Sequence, residues 1–447
     1  MAKNQQSPQR AAAGLGRRAL LKTTGAAALA TGAGLATGAG LGLFGGTAPA
    51  VAQQRELKVL MWSSFVKEAD VEVDRQAAEF GKAEGIQVTV EHINNNDLPA
   101  RGTAAVESGV GPDIIQTWEN FPLLWESALI DHADLVREAG GNSIYKVFRD
   151  MADTGNGYAG VPHFGTGALY AYRKSIFQQA GVQPPATWDE FLKVGGAIKK
   201  LNMPVGQALG HSFGDPRGFC HTLLWSFGGK SIDEKAQVII NSKETRRALE
   251  FFKEFWFAAC DESGLAWDDS SNNRAYAASA IGATRNGASI YFVAKREFLK
   301  NGHPLMKDTG HFRDVSGPAG MRHDFTSYTM SIFKYSKMQT AAKNYIRYSF
   351  RDDNLEKLFL ANGGYINPNT PKWENHPFWK QDAALEPFKD LPRDAVHSGW
   401  PGPVDRRASE AVAKYIVVDM FARAIKGDSI DRSLSIAENE LKQIYKA

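Results

Sequence analysis

Two short polar runs stand at the ends of apolar segments and carry groups that grip hydroxyls. Asn94, Asn95, Asn96 and Asp97 follow Gln87-Val88-Thr89-Val90-Glu91, and Trp118, Glu119 and Asn120 follow Asp113-Ile114-Ile115. Amides and carboxylates exchange hydrogen bonds with hydroxyls, and an indole covers an apolar C–H face. The combination suits a neutral, hydroxyl-rich solute. A second motif points to other chemistry. Gly210-His211-Ser212-Phe213-Gly214 has the G-x-S-x-G spacing of a nucleophile elbow, with a helical pattern from Phe219 to Phe227 behind it. A serine hydrolase also needs an acid and then a histidine further along, and no local signature marks either.

The flanking pattern says how the first set is positioned. Gln87 to Glu91 alternates as a half-buried strand. Pro99 opens a helical stretch to Ser108, and Gly109, Gly111 and Pro112 end it before a second strand at Asp113-Ile114-Ile115. In a β-α-β unit the parallel strands end on the same side, so both polar runs fall on one rim, where open α/β sheets hold ligands. Leu57 to Trp62, followed by a helix over Val71–Glu84 and by Gly85, adds Trp62 and Ser63 to that rim.

These segments carry a resemblance. VTVEH, GVGPDII, the aromatic and acidic loop after it, and ESALI are similar to the extracellular solute-binding proteins that feed bacterial ABC importers, in the sugar-binding group that includes maltose-binding protein. Further matches follow in order. Gly160 to Lys174 resembles the strand that leaves the first lobe, with Thr166 standing where the family has an acidic residue and His163 as a candidate replacement for it. Pro184-Pro185-Ala186-Thr187-Trp188-Asp189-Glu190 resembles a helix start, with Thr187 and Glu190 as a capping box. Asn286-Gly287 matches an N-G-x-W loop whose tryptophan is Ser289 here, and Phe325 to Ile332 resembles the returning crossover. Tyr365 and Trp400 fall where the family brings aromatics to the cleft, and Trp225 opens a stretch, Trp225 to Gly229, that resembles the family's helix end with paired glycines and fits a cleft or a core position equally.

The resemblance implies an α/β protein of two discontinuous lobes with a ligand cleft between them. The first lobe is expected over 53–165 and 328–370, the second over 166–327 and 371–447. It makes GHSFG a chance match in a cleft loop and the protein no enzyme. It implies periplasmic capture of a sugar or oligosaccharide by hinge closure, and delivery to ABC permease subunits by a monomer without cofactor or metal. The expected ligand-binding residues are Trp62, Ser63, Asn95, Asp97, Trp118, Glu119, His163, Thr166, Asp215, Arg217, Trp225, Arg285, Asn286, Tyr365 and Trp400. Arg285 and Arg217 keep an alternative open, a phosphorylated polyol such as glycerol 3-phosphate, because guanidinium groups favour anions.

The start of the chain reads as an export leader. Gly16-Arg17-Arg18-Ala19-Leu20-Leu21-Lys22 resembles a twin-arginine signal, a weakly apolar run follows, and Ala50-Val51-Ala52 is a cleavage site before Gln53. The leader is too rich in glycine for a good membrane span. It holds five basic residues and no acidic one, so of the 52 basic and 49 acidic residues 47 and 49 remain, a net charge of −2. No basic run supports nucleic-acid binding. Cys220 and Cys260 are compatible with either a disulfide or two buried thiols, and no Cys/His spacing suggests zinc.

Overall fold

A computed structural model describes residues 55–446, so the leader, Arg17-Arg18 and the expected cut after Ala52 lie outside the described residues. Within them the strands are β1 (Glu56–Trp62), β2 (Gln87–Ile93), β3 (Ile114–Trp118), β4 (Val161–Gly167), β5 (Leu169–Arg173), β6 (Ala283–Asn286), β7 (Thr309–Phe312), β8 (Phe325–Ile332) and β9 (Asn367–Pro368). They form a six-stranded sheet in the order β2-β1-β3-β8-β4-β9 and a three-stranded sheet in the order β6-β5-β7. β1 runs parallel to both β2 and β3, whereas β8 is antiparallel to β3 and β4. The edge strand β2 alternates exposed and half-buried residues, while the interior strand β3 is buried throughout. This is the pattern that one-sided and two-sided burial produce.

Local chemistry sets the helix ends. The first helix, Lys67–Glu84, starts four residues ahead of the expected Val71, with Glu68 and Asp70 in its first turn favouring the positive end of its dipole. Gly85 stops it at φ +63°, a left-handed conformation that costs glycine nothing. Thr187 and Glu190 form the expected capping box on helix Trp188–Lys199. The stretch read as one helix from Asp405 to Lys426 is two, Arg406–Ala413 and Ile416–Ile425. Tyr415 breaks it at φ +54°, and its ring stacks on His211 at 4.4 Å and on Phe213 at 4.7 Å. Tertiary stacking overrides helical periodicity there.

Each sheet anchors its own core, which gives the two lobes. The chain leaves the first sheet between β4 and β5, returns between β7 and β8, and passes after Leu391 to three closing helices, the first of which still packs Val412 into the first core while the other two join the second. Gly167 stands at the first departure, where a Cβ would lie 2.5 Å from the Leu391 side chain of the last, so the crossings pack together only because it is glycine. The first lobe extends beyond its expected bounds. All of Phe325–Ile332 belongs to the first sheet, and Trp379, Leu385, Phe388 and Leu391 pack into the first core although 371–447 was assigned to the second lobe. These side chains are apolar and close to β9 and β4, and a sequence pattern alone does not say which core an apolar residue joins. Cys220 and Cys260 are free thiols buried in the second core.

Candidate functional site

The ends of β1, β2 and β3 lie side by side on the rim that faces the second lobe. Trp62 at the end of β1 stacks on Tyr328 of β8, with ring centroids 4.6 Å apart and planes 21° from parallel. Trp118 at the end of β3 continues the row, its ring centroid 6.4 Å from that of Tyr328 and the planes 26° from parallel. Asn94 shapes the loop after β2 by accepting from the Asn96 amide at 2.9 Å. That turn presents Asn95, whose Nδ2 donates to the Tyr328 hydroxyl at 3.4 Å while its buried Oδ1 has no partner among the described residues. The Trp118 Nε1 donor is likewise buried and unpartnered.

The facing wall comes from the second lobe. Helix Asp215–Ser226 brings Asp215 and Arg217, β6 brings Arg285 and Asn286, and Asp324 precedes β8. Arg217 pairs with Glu119 across the lobes and with Asp324, both at 2.8 Å. Arg285 donates to both oxygens of Asp314, at 2.7 and 2.9 Å, and to Asp324 at 2.6 Å. Both arginines are 2% exposed. Gly218 lets the cluster lie against the helix, because a Cβ there would come within 2.7 Å of the Arg285 guanidinium and 2.8 Å of Asp324. Burial pushes the Asp324 carboxyl up, but Arg285 and Arg217 outweigh it and hold the group well below the usual range. For Glu119, burial outweighs the pull of Arg217 and its pKa rises.

Two cavities open between these walls. An inner one of about 50 Å³ is lined by Asn95, Trp118, Thr166, Asp215, Arg217, Arg285, Asn286 and Tyr365 among the expected residues. A vestibule of about 410 Å³ is lined by Trp62, Ser63 and Asn94 to Asn96, and it shares Phe65, Asn95 and Asp269 with the inner cavity. Glu119 stands behind Arg217 and lines neither.

Four expected residues sit elsewhere. Asp97 is exposed in the first turn of its helix and lines neither cavity, because the rim turn points Asn95 inward instead. His163 is buried in the first core against Phe164 and Phe350, where loss of hydration lowers its pKa to about 4. Trp225 is 2% exposed within its helix, edge-on to Trp400. Trp400 lines a separate cavity of about 670 Å³, with Lys230 and Arg322 over its indole. Sequence reasoning missed Phe65, Asp269, Asp324, Thr326 and Tyr328 in the inner lining. For Tyr328 the signal was present, since it belongs to the alternating run read as a crossover. Thr326 lies in the same run, and nothing local singles out Phe65, Asp269 or Asp324.

The GHSFG loop is organised around Asp269. Its carboxylate accepts from the Ser212 hydroxyl at 2.8 Å, the Asp215 amide at 2.7 Å and the Gly214 amide at 3.2 Å. Ser212 is thus a donor to a carboxylate, and the neighbouring His211 is turned to Asp419. Among the described residues no group of His, Cys, Asp and Glu has the arrangement of a metal site.

Comparison with known proteins covers most of this architecture. A family profile described as bacterial extracellular solute-binding protein matches residues 75–387. YcjN of Escherichia coli (strain K12), described as a putative ABC transporter periplasmic-binding protein, is 20% identical over 350 residues, 75% of this chain and 78% of its own. Maltose-bound MalE3 of T. maritima superposes with a TM-score of 0.76 at 17% identity, covering 87% of this chain and 99% of that one. A sugar transporter of Arthrobacter chlorophenolicus A6 with bound laminaribiose gives 0.76 at 15% identity, with the same coverage. At these identities the two structures establish the shared two-lobed fold.

Proposed function

This chain belongs to the bacterial extracellular solute-binding proteins of ABC importers, and from that premise we propose that it captures a sugar or oligosaccharide between its lobes. The observation that carries the reading is the rim of the first lobe. Trp62, Tyr328 and Trp118 stack into an aromatic row that lines the two cavities, and beside them Asn95 Oδ1 and Trp118 Nε1 lack partners among the described residues. Aromatic faces cover the C–H side of a pyranose. A buried polar group left unpaired costs about 1–3 kcal/mol, which a sugar hydroxyl would recover. The solved neighbours with bound maltose and laminaribiose agree with a carbohydrate.

Solute held by both lobes stabilises the closed arrangement, so binding shifts the population toward it through hinge motion at the crossings. The permease subunits would read the closed form, and a monomer suffices. The phosphorylated-polyol alternative is not favoured, because Arg217 and Arg285 are both held by carboxylates. We further propose export through the Arg17-Arg18 leader, with the periplasmic protein starting at Gln53. N-terminal sequencing tests this, and an uncleaved leader would refute it. For the function itself, the purified protein should melt higher with one or more sugars or oligosaccharides, by about 2.7 kcal/mol of added stability at 100 times Kd. Stabilisation by sugar phosphates alone would overturn the reading.

A further inference from the structure

More carboxyl groups than arginines stand at the inner cavity. Three carboxyl groups line it, Asp215, Asp269 and Asp324, and two more, Glu119 and Asp314, stand behind its arginines. Arg217 and Arg285 pair with Glu119, Asp314 and Asp324. Among the described residues no Lys, Arg or His lies within 4 Å of Asp215 or Asp269 in an ion pair, and both line the cavity. Asp269 has hydrogen bonds to both oxygens from the GHSFG loop. Asp215 differs. Its Oδ2 accepts from Asn272 at 2.6 Å and from Asn286 at 3.3 Å, whereas its Oδ1 accepts from no donor among the described residues. Burial, and then the charge of Asp269, pushes the Asp215 carboxyl well above the usual range. Ionising a half-buried carboxyl with no cation beside it is costly, and a cation brought there reverses that cost.

A second observation points the same way. Asn95 is 7% exposed and lines the same cavity, and its Oδ1 is an acceptor without a partner. Asp215 Oδ1 and Asn95 Oδ1 are therefore two free acceptors on opposite lobes of one small space. An ammonium has three donors and no acceptor, and it also favours aromatic walls such as Tyr328, Trp118 and Tyr365. Size fits as well. About 50 Å³ holds a few water-sized groups, far below the roughly 300 Å³ from which small-molecule pockets begin. The 410 Å³ vestibule beside it, with Trp62 and Asn94 to Asn96, is the larger space. An inorganic cation is a poorer occupant, since no metal-binding arrangement is found among the described residues.

Resting on the saccharide reading, we propose that the solute is an amino sugar, its ring in the vestibule and its ammonium group in the inner cavity between Asp215 and Asn95. A phosphate or carboxylate in that place would face the Asp215 carboxyl with no donor between them, and a neutral hydroxyl brings no cation to draw Asp215 back to its ionised form.

Calorimetric titration of the purified protein tests this with matched sets. Glucosamine, galactosamine and β-1,4-linked diglucosamine are compared with their N-acetylated forms and with the corresponding hydroxyl sugars. The expected result is at least tenfold tighter binding of one free amine than of both of its neutral counterparts. Asp215→Asn, which keeps the shape and the Asn272 neighbour, should reduce that preference at least tenfold. The wild-type comparison decides even if the variant folds poorly. Neutral sugars binding as tightly as their amines would overturn the amino-sugar inference and leave the saccharide reading standing. Failure of every saccharide, aminated or neutral, would overturn the saccharide reading itself.

Discussion

Removing Arg285 should damage the fold far more than it changes any preference for anions. Arg285 is 2% exposed, and its partners Asp314 and Asp324 are each 5% exposed. Arg285→Ala deletes three hydrogen bonds of 2.6 to 2.9 Å, leaves Asp314 without a cation and leaves Asp324 with Arg217 alone. Breaking a buried pair from one side costs about 3–5 kcal/mol, because the other charge stays buried. At about 2–4 °C per kcal/mol for a lobe-sized domain, the melting temperature should fall by roughly 6–20 °C. A solvated guanidinium would lose only about 0–1 kcal/mol. Scanning calorimetry at pH 7 in low and high salt is the assay, and the loss should persist in high salt because buried pairs are weakly screened. Replacing both partners, Arg285→Met with Asp314→Leu, should recover part of the loss, since no stranded charge remains at that pair. The pH sign is fixed by Asp324. Its folded pKa is depressed, so its stabilisation is present above the ordinary carboxylate range and is lost as pH falls through the folded value. The gap between wild type and Arg285→Ala should therefore narrow in strong acid. A variant that melts within about 2 °C of wild type would refute the reasoning.

Other expectations are equally concrete. Phe65 is 37% exposed yet lines both cavities, so Phe65→Ala should weaken solute binding about tenfold, or about 1.4 kcal/mol, in a titration while the melting temperature barely moves; normal affinity would remove Phe65 from the site. Ser212→Ala should lose about 1.5–3 kcal/mol through its hydrogen bond to the Asp269 carboxylate, and wild-type Ser212 should not react with a fluorophosphonate probe; stoichiometric labelling would instead indicate a hydrolase. His163 is buried neutral, with a pKa lowered to about 4. The unfolded chain then takes up the proton first, so stability is lost as pH drops from about 6.5 toward 4, and the loss amounts to about 2 kcal/mol at pH 5. His163→Gln should flatten the melting-temperature decline between pH 7 and pH 5 by that amount, and an unchanged slope would show that His163 does not carry it.

The rim was legible because β-α-β chirality is strict: parallel strands put Trp62, Asn95 and Trp118 on one side from their positions in the pattern alone. The capping box was legible because its partners are three residues apart. What escaped depends on long-range packing. His163 and Trp225 are polar and aromatic groups that the fold buries in cores, and periodicity does not separate such residues from ligand contacts. Asp269 and Asp324 reach the cavity from turns distant in sequence, and their meaning comes from Arg217, Arg285 and the GHSFG amides brought beside them. Tyr415 shows the same limit in a helix, where a ring stack against Phe213 ends a pattern that should have continued.

Closure on a solute is the central claim, and an interlobe distance tests it most directly. Glu68 and Arg274 are exposed and flank the vestibule beside Lys67 and Ser270, from the first and second lobes respectively. Cys220 and Cys260 are buried, so spin labels on Glu68→Cys and Arg274→Cys can be placed selectively. Pulsed electron spectroscopy should show a shorter, narrower distance distribution once the sugar that raises the melting temperature is added. An identical distribution with and without that sugar, under conditions where calorimetry shows it bound, would contradict capture by closure of the lobes.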